Sequence, residues 1–138
     1  MKRRVLFLCA GNSACSQMAE GLFRYLAGDR YEVYSAGTHP IGLNPGAVTA
    51  MQELGIDISA QRSKSIHEFT QQAFDYVITV CDRAKESCPR WPHTGHLVHW
   101  GFENPAAAIG SPEEGRKTFS TVRDQIRARL EEFLSTRS

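Results

Sequence analysis

Short apolar runs alternate along the chain with longer segments in which apolar residues recur every three or four positions. The first run, VLFL at residues 5–8, contains no polar position, as is typical of a parallel strand buried on both faces. Residues 31–35, 76–80 and 96–99 have the composition of three further strands. This alternation predicts a single α/β domain of three layers, with a central four-stranded parallel sheet and helices on both faces.

Helical spacing and capping residues predict where the helices begin and end. The first helix is expected over residues 14–27, stopping near Gly28. A second is expected to begin at Asn44 and Pro45, a cap followed by a proline at the first helical position, and to stop before Gly55.

The last helix is predicted to begin at Ser111 and to continue towards the C-terminus. A short helix is predicted at residues 66–72, and a short helical turn that breaks at Cys88 and Pro89 is predicted within residues 82–92. Apolar residues in the last helix follow helical spacing, which indicates packing against the core; they are Phe119, Val122, Ile126, Leu130 and Phe133.

Composition and charge narrow the classes of function. The 138 residues are 41% hydrophobic, which suits one domain with a single core. The formal net charge of +1 argues against a broad nucleic-acid or membrane surface and favours a small ligand. The apolar run at residues 5–10 is too short for a signal peptide, and no run could span a bilayer. We therefore expect a soluble, cytoplasmic monomer.

Cys9 ends the first predicted strand and is followed by small residues that lead into the first helix. Unpaired N–H groups at a helix start, with the positive end of the helix dipole, form a pocket for an oxyanion and lower the pKa of a cysteine placed there. A packing role for Cys9 is the alternative, but the small residues favour a functional thiolate. The predicted oxyanion-binding loop comprises Ala10, Gly11, Asn12, Ser13, Ala14, Cys15 and Ser16.

Cys81 follows the strand predicted at residues 76–80 just as Cys9 follows the first strand. Functional groups of open parallel sheets collect at the carboxyl ends of strands, so the two thiols would share one crevice if these strands are neighbours. Cys88 is too far along the chain for the usual CxxC spacing of redox or zinc sites. A disulfide needs Cα atoms within about 7 Å, so if the segment between them is a flexible or partly helical turn, Cys81 and Cys88 could pair only after it rearranges, as a switch.

Three histidines are candidate zinc ligands: His93, His96 and His99. Their spacing of three residues across a strand does not place them on one face, because strand faces repeat every two residues. We therefore expect no metal and no cofactor.

Residues 9–21 resemble the phosphate-binding loop shared by low-molecular-weight protein tyrosine phosphatases and thioredoxin-coupled arsenate reductases. In that loop a cysteine, five residues and an arginine are followed by a serine. The resemblance covers essentially the whole chain, including YSAG at residues 34–37 and HWGF at residues 99–102. The pair Cys81 and Cys88 resembles the arsenate-reductase branch, since plain phosphatases of this fold lack it.

This resemblance implies reduction of arsenate to arsenite in three steps. Cys9 thiolate attacks arsenic and expels an oxygen as water. Cys81 then attacks Cys9 and releases arsenite, and Cys88 finally attacks Cys81, presenting a disulfide to thioredoxin.

Two family positions differ in this chain. The family arginine falls on Cys15, and the aspartate that precedes a proline in the family, where it acts as general acid, is replaced by Asn104. Glu103 is the nearest carboxyl candidate for a proton donor. The resemblance therefore implies an arsenate reductase with weakened catalysis.

A potassium ion is bound in part of the family at positions that match Asn12, Glu20 and Ser35. Lys64 stands where that subset carries an acidic ligand, so its ammonium group is expected to replace the ion.

Two other functions stay open on the sequence. A low-molecular-weight phosphatase would need Cys9 but neither Cys81 nor Cys88. A non-enzymatic oxyanion-binding or thiol redox-switch protein would bind anions, or cycle disulfides without arsenate.

Overall fold

A computed structural model describes residues 3–69, 72–80, 94–102, 105 and 111–136. Its strands are β1 (Arg3–Cys9), β2 (Tyr31–Gly37), β3 (Phe74–Thr79) and β4 (Thr94–His99). Its helices are α1 (Cys15–Ala27), α2 (Pro45–Gln52) and α3 (Pro112–Ser135), with a 3-10 helix at Ile66–Glu68.

The four strands form one parallel sheet in the order β2-β1-β3-β4. This confirms the predicted four-stranded parallel α/β architecture. The register pairs Cys9 with Gly37 on one side of β1 and Leu8 with Thr79 on the other. The carboxyl end of β1 therefore lies between the carboxyl ends of β2 and β3, which is where open α/β sheets carry their ligands.

The unbroken apolar run in β1 is explained by burial on both faces of the sheet. Val5 and Phe7 pack into the larger core, to which α1, α2 and α3 all contribute. Leu6 and Leu8 point the other way, into a smaller core that contains Ile66 of the 3-10 helix. Alternate residues of one strand thus contact helices on opposite faces.

The apolar stripe of the last helix packs as predicted. Its five apolar residues are all buried in the larger core: Phe119, Val122, Ile126, Leu130 and Phe133. Among the described residues no helix is both long and apolar enough to cross a membrane.

The boundaries of several elements differ from the prediction. Of the helix predicted at residues 66–72, the described residues form only the 3-10 turn at Ile66–Glu68, because Glu68 N and Phe69 N bond to carbonyls three residues back and Phe69 packs in the smaller core. Residues 70 and 71 lie outside the described residues. Strand β2 continues to Gly37, whose N–H donates to Lys64 O at 2.7 Å. The helical segment predicted at residues 82–92 lies outside the described residues.

The start of α2 is as predicted. The side chain of Asn44 accepts a hydrogen bond from Gly46 N at 2.8 Å, and Pro45 occupies the first turn. The helix ends at Gln52, and the turn that follows contains Gly55 with a φ of 75°, a conformation that favours glycine.

Candidate active site

The loop between β1 and α1 has its carbonyl groups turned away from its centre. Five consecutive carbonyls, those of residues 9–13, accept hydrogen bonds from outside the loop. The donors are Thr38 N (to Cys9 O, 3.2 Å), His39 N (to Ala10 O, 2.8 Å), Ile41 N (to Gly11 O, 3.0 Å), Gln17 Nε2 (to Asn12 O, 2.9 Å) and Asn44 N (to Ser13 O, 3.0 Å).

This pattern determines where the N–H groups of the loop point. In a trans peptide the N–H lies opposite the carbonyl, so five outward carbonyls turn five successive N–H groups inward. The N-terminus of α1 lies beside them, and Ala14 at its cap position provides no side-chain hydrogen bond. Inward N–H groups next to a helix start form a concave site for an anion.

Cys9 Sγ receives two hydrogen-bonding groups at this site. Asn12 N donates to the sulfur at 3.1 Å, and Ser16 Oγ lies 2.9 Å from it. Because Ser16 Oγ already accepts from Asn12 Nδ2 at 2.8 Å, its own proton is free to point at the sulfur. Hydrogen bonds donated to the charged form of an acid favour that form, so the arrangement stabilises a thiolate at Cys9.

Asn12 organises the loop although it is fully buried. Its φ is 46°, in the left-handed region. Its Nδ2 reaches Ser16 and also donates to Ser35 Oγ at 3.0 Å. Its Oδ1 accepts from Lys64 N at 2.7 Å. The side chain therefore links the loop to α1, to β2 and to the segment that contains Lys64.

A buried carboxylate, that of Glu20, is linked to Asn12 of the loop through Ser35. Ser35 Oγ donates to its Oε1 at 2.5 Å, and Lys64 Nζ lies 3.5 Å from the same oxygen. Arg24 Nη2 contacts the other oxygen at 2.8 Å. With side chains only 6% and 11% exposed, Glu20 and Lys64 form a largely desolvated pair.

Residues 4–137 match the model of the low molecular weight phosphotyrosine protein phosphatase family. The chain belongs to this family. An arsenate reductase of Halalkalibacterium halodurans is 47% identical over 98% of this chain and 97% of its own length.

Solved structures agree with this placement. One described as an arsenate reductase in the phosphate binding state has a TM-score of 0.80 at 32% identity and covers 99% of both chains. A thioredoxin-dependent arsenate reductase of Corynebacterium glutamicum has a TM-score of 0.76 at 28% identity, covering 98% of this chain and 61% of its own. The family and fold expected from the sequence are thus confirmed.

Within this phosphatase-family fold, Cys15 is the first residue of α1 and is 5% exposed. Its side chain packs in the larger core. The family position of the oxyanion-binding arginine is therefore occupied by the small, buried side chain of a cysteine.

The remaining site residues predicted from the sequence are Cys81, Cys88, Glu103 and Asn104, and all four lie outside the described residues, as does His93. His96 stacks on the ring of Tyr76 with 5.0 Å between ring centroids, and His99 Nδ1 lies 2.6 Å from Thr79 Oγ1. In the described part of the chain, no three histidine, cysteine or acidic side chains group together as metal ligands.

Sequence reasoning identified Lys64 but missed the contacts that Gln61 and Ser63 make with the loop and with Gln17. Ser63 Oγ donates to Gly11 O at 3.0 Å, and Gln61 Nε2 donates to Gln17 Oε1 at 2.8 Å. Gln17 itself is fully buried. The only signal in the sequence was Gln17 itself, a polar residue in the first turn of the predicted first helix.

Proposed function

We propose that this chain reduces arsenate to arsenite, with Cys9 as the nucleophile and thioredoxin as the final reductant. The observation that carries the proposal is Cys9 Sγ beside the N–H of Asn12 and the hydroxyl of Ser16, at a loop whose carbonyls all turn outward. Family relatives described as arsenate reductases support the choice of substrate.

Arsenate binds in the concave site formed by the N–H groups of residues 10–16. Cys9 thiolate attacks arsenic, a sulfur–arsenic bond forms, and one oxygen leaves as water after taking up protons. Inward N–H groups stabilise the charge on the remaining oxygens, because preorganised donors in a site shielded from water cost no reorganisation during the reaction.

Reduction follows by thiol exchange. Cys81 thiolate attacks Cys9 Sγ, and the electron pair of the sulfur–arsenic bond leaves with arsenite. Cys88 then attacks Cys81, which frees Cys9 and forms a Cys81–Cys88 disulfide. Thioredoxin reduces this disulfide with two electrons, through a mixed disulfide.

Two substitutions weaken this activity relative to the family pattern. Cys15 offers no positive charge to arsenate, and Asn104 cannot deliver a proton to the departing oxygen. Glu103 is the proposed proton donor in its place.

The reaction needs no metal or cofactor, because Lys64 supplies the positive charge beside Glu20 that a potassium ion supplies elsewhere in the family. The 3.5 Å contact between Lys64 Nζ and Glu20 Oε1 supports this assignment. We further propose that the protein acts as a monomer in the cytoplasm, where thioredoxin keeps its thiols reduced.

Steady-state assays with arsenate and with an aryl phosphate, each with and without thioredoxin and its reductase, test this function. Parent protein should reduce arsenate only with thioredoxin. Cys81→Ser should stop multiple turnovers while leaving oxyanion binding nearly intact, because Cys81 acts after the Cys9 adduct forms. Parent turnover of aryl phosphate alone would indicate a phosphatase, and disulfide cycling without arsenate a redox switch.

A further inference from the structure

The amide of Gln17 is buried between the oxyanion-binding loop and the segment at residues 61–64. Its Nε2 lies 2.9 Å from Asn12 O, 3.2 Å from Asn12 Oδ1 and 2.9 Å from Arg62 O. Its Oε1 accepts from Gln61 Nε2 at 2.8 Å, and the same Gln61 nitrogen lies 3.1 Å from Gln17 O. Both ends of the Gln17 amide are therefore held, one by Asn12 and the other by Gln61.

A glycine in α1 leaves room for this arrangement. A Cβ atom at Gly21 would lie 2.6 Å from Ile58 Cγ2 and 3.4 Å from Gln61 Oε1. Because glycine has no Cβ, the segment that carries Ile58 and Gln61 can approach the helix one turn beyond Gln17. The contact between Gln61 and Gln17 depends on that approach.

Asn12 has a φ of 46°, a left-handed conformation that is uncommon for residues with a side chain, although asparagine adopts it more readily than most. A backbone conformation of this kind persists only when the surroundings hold it. The backbone angles of Asn12 set the relative orientation of the two peptide groups on either side of it. One carries the N–H that lies 3.1 Å from Cys9 Sγ, and the next carries the carbonyl that Gln17 Nε2 holds outward, so that its own N–H, that of Ser13, faces the anion site.

We propose that Gln17, braced by Gln61, is a positioning residue of this site. It holds Asn12 in the left-handed conformation and thereby aims successive N–H groups at Cys9 Sγ and at the bound oxyanion. Gln17 acts through Asn12 and does not touch the reacting atoms. The inference rests on the proposed function only in taking Cys9 as the nucleophile.

Gln17→Met tests this role, because methionine has a similar length and shape but neither donates nor accepts as an amide does. We expect the midpoint of the pH profile for iodoacetamide alkylation of Cys9, followed by mass spectrometry that resolves each cysteine, to rise by about one pH unit. That shift corresponds to the loss of one hydrogen bond of ordinary net strength. KM for arsenate should rise about fivefold, because the loss of one hydrogen bond also weakens the alignment of the N–H groups that bind the oxyanion. At high pH kcat should be nearly unchanged, because Cys9 is then ionised.

Arg123→Met is the matched control, since Arg123 is also buried and donates to Ala50 O at 2.7 Å, but it lies between α2 and α3. It should lower the melting temperature without moving the Cys9 profile. If Gln17→Met lowers the melting temperature and likewise leaves the Cys9 profile at its parent position, Gln17 only fills space and the proposal is wrong.

Gln61→Met keeps the test decisive if Gln17→Met does not fold. Gln61 is half-buried, and its loss should shift the Cys9 midpoint in the same direction by about half as much as the loss of Gln17. An unchanged midpoint would overturn the proposal. These profiles need no turnover, so a parent protein that fails to reduce arsenate would disprove the proposed function while the role of Gln17 is still tested.

Discussion

The N–H groups of the oxyanion-binding loop are positioned independently of the side chain at position 15. The loop presents its N–H groups through backbone contacts that extend from Thr38 to Asn44, and these contacts do not involve the side chain at position 15. The proposed anion site therefore keeps its inward N–H groups even though Cys15 replaces the family arginine. The bidentate contact and the fixed positive charge that arginine would add are absent from that position.

Restoring that arginine should raise activity. Loss of one preorganised oxyanion donor lowers turnover by about 10²–10³-fold in enzymes. We expect Cys15→Arg to increase arsenate reduction by at least about tenfold, a smaller gain because Asn104 still limits proton delivery. Kinetics with thioredoxin, its reductase and arsenate at several pH values measure the effect. Equal turnover of the two proteins would mean that the loop binds its anion without need of an arginine.

Lys64 should be needed for stability because it balances Glu20 in a largely buried pair. We expect Lys64→Gln to lower the free energy of unfolding by about 1–3 kcal/mol, since Arg24 still pairs with Glu20. Potassium chloride should recover part of this loss when compared with choline chloride in urea titrations.

Arg62→Gln provides the control for Lys64→Gln, because the Arg62–Glu68 pair is exposed, with side chains 66% and 42% accessible. Its effect should stay below about 1 kcal/mol. A parent protein that responds to potassium as strongly as Lys64→Gln would show that Lys64 does not replace the ion.

At the scale of elements, α2 and α3 are joined by side-chain hydrogen bonds in addition to their apolar contact. Glu53, at the end of α2, accepts from Ser120 Oγ at 2.7 Å and from Arg123 Nη1 at 2.7 Å. Gly46 lets the helices meet closely, because a Cβ there would lie 2.6 Å from the Phe119 ring. The hydrogen bonds from Ser120 and Arg123 lower the pKa of Glu53 below its usual value of 4.5.

This lowered pKa predicts a small acid-dependent loss of stability. A carboxyl whose pKa is lower in the folded state stabilises the fold above its unfolded pKa and loses that effect as pH falls through the folded pKa. Because the side chain is 47% exposed, we expect the parent to be more stable than Glu53→Gln by only about 0.5 kcal/mol near neutral pH. The gap should close below about pH 4.

Chemical denaturation of the parent and Glu53→Gln across this pH range measures the gap. Ser120→Ala removes the hydrogen bond that contributes most to the lowered pKa of Glu53. The loss of stability on acidification should therefore be smaller in this variant than in the parent. A gap that widens on acidification would contradict the assignment.

At the scale of the whole molecule, the sheet order brings separate parts of the chain to one edge. Cys9 ends the central strand β1, and β3, which leads to Cys81, pairs directly with it. Cys9 itself is only 6% exposed. A protein reductant therefore reaches a disulfide at Cys9 poorly. The proposed relay solves this problem by transferring the disulfide from Cys9 to the pair Cys81 and Cys88.

Cys88→Ser should therefore limit the protein to a single turnover. Without the last thiol, a Cys9–Cys81 disulfide would accumulate after one equivalent of arsenite has formed. Rapid-quench measurement of arsenite and peptide mapping under non-reducing conditions check this. A dominant Cys9–Cys15 disulfide would instead show that the additional loop cysteine has captured the chemistry.

Sequence pattern was sufficient for much of the fold and for the position of Cys9 at the end of β1. The apolar run before Cys9 predicted a buried parallel strand, and the small residues after it predicted an anion loop. Both are local signals, carried by neighbouring residues whose backbone preferences do not depend on distant contacts. The 3-10 helix was overestimated because Phe69 leaves the helical path to fill the smaller core, a packing effect that local spacing does not contain.

The sequence by itself determined the four strands, the three long helices, the position of Cys9 at a strand end and the change at Cys15. Only the tertiary structure decided what holds the loop in shape. Gln17, Gln61 and the backbone of Lys64 act on Asn12 across up to 52 positions of the chain. Hydrogen bonds between such distant positions depend on how the segments approach in space, and neither hydrophobic periodicity nor residue spacing records that approach.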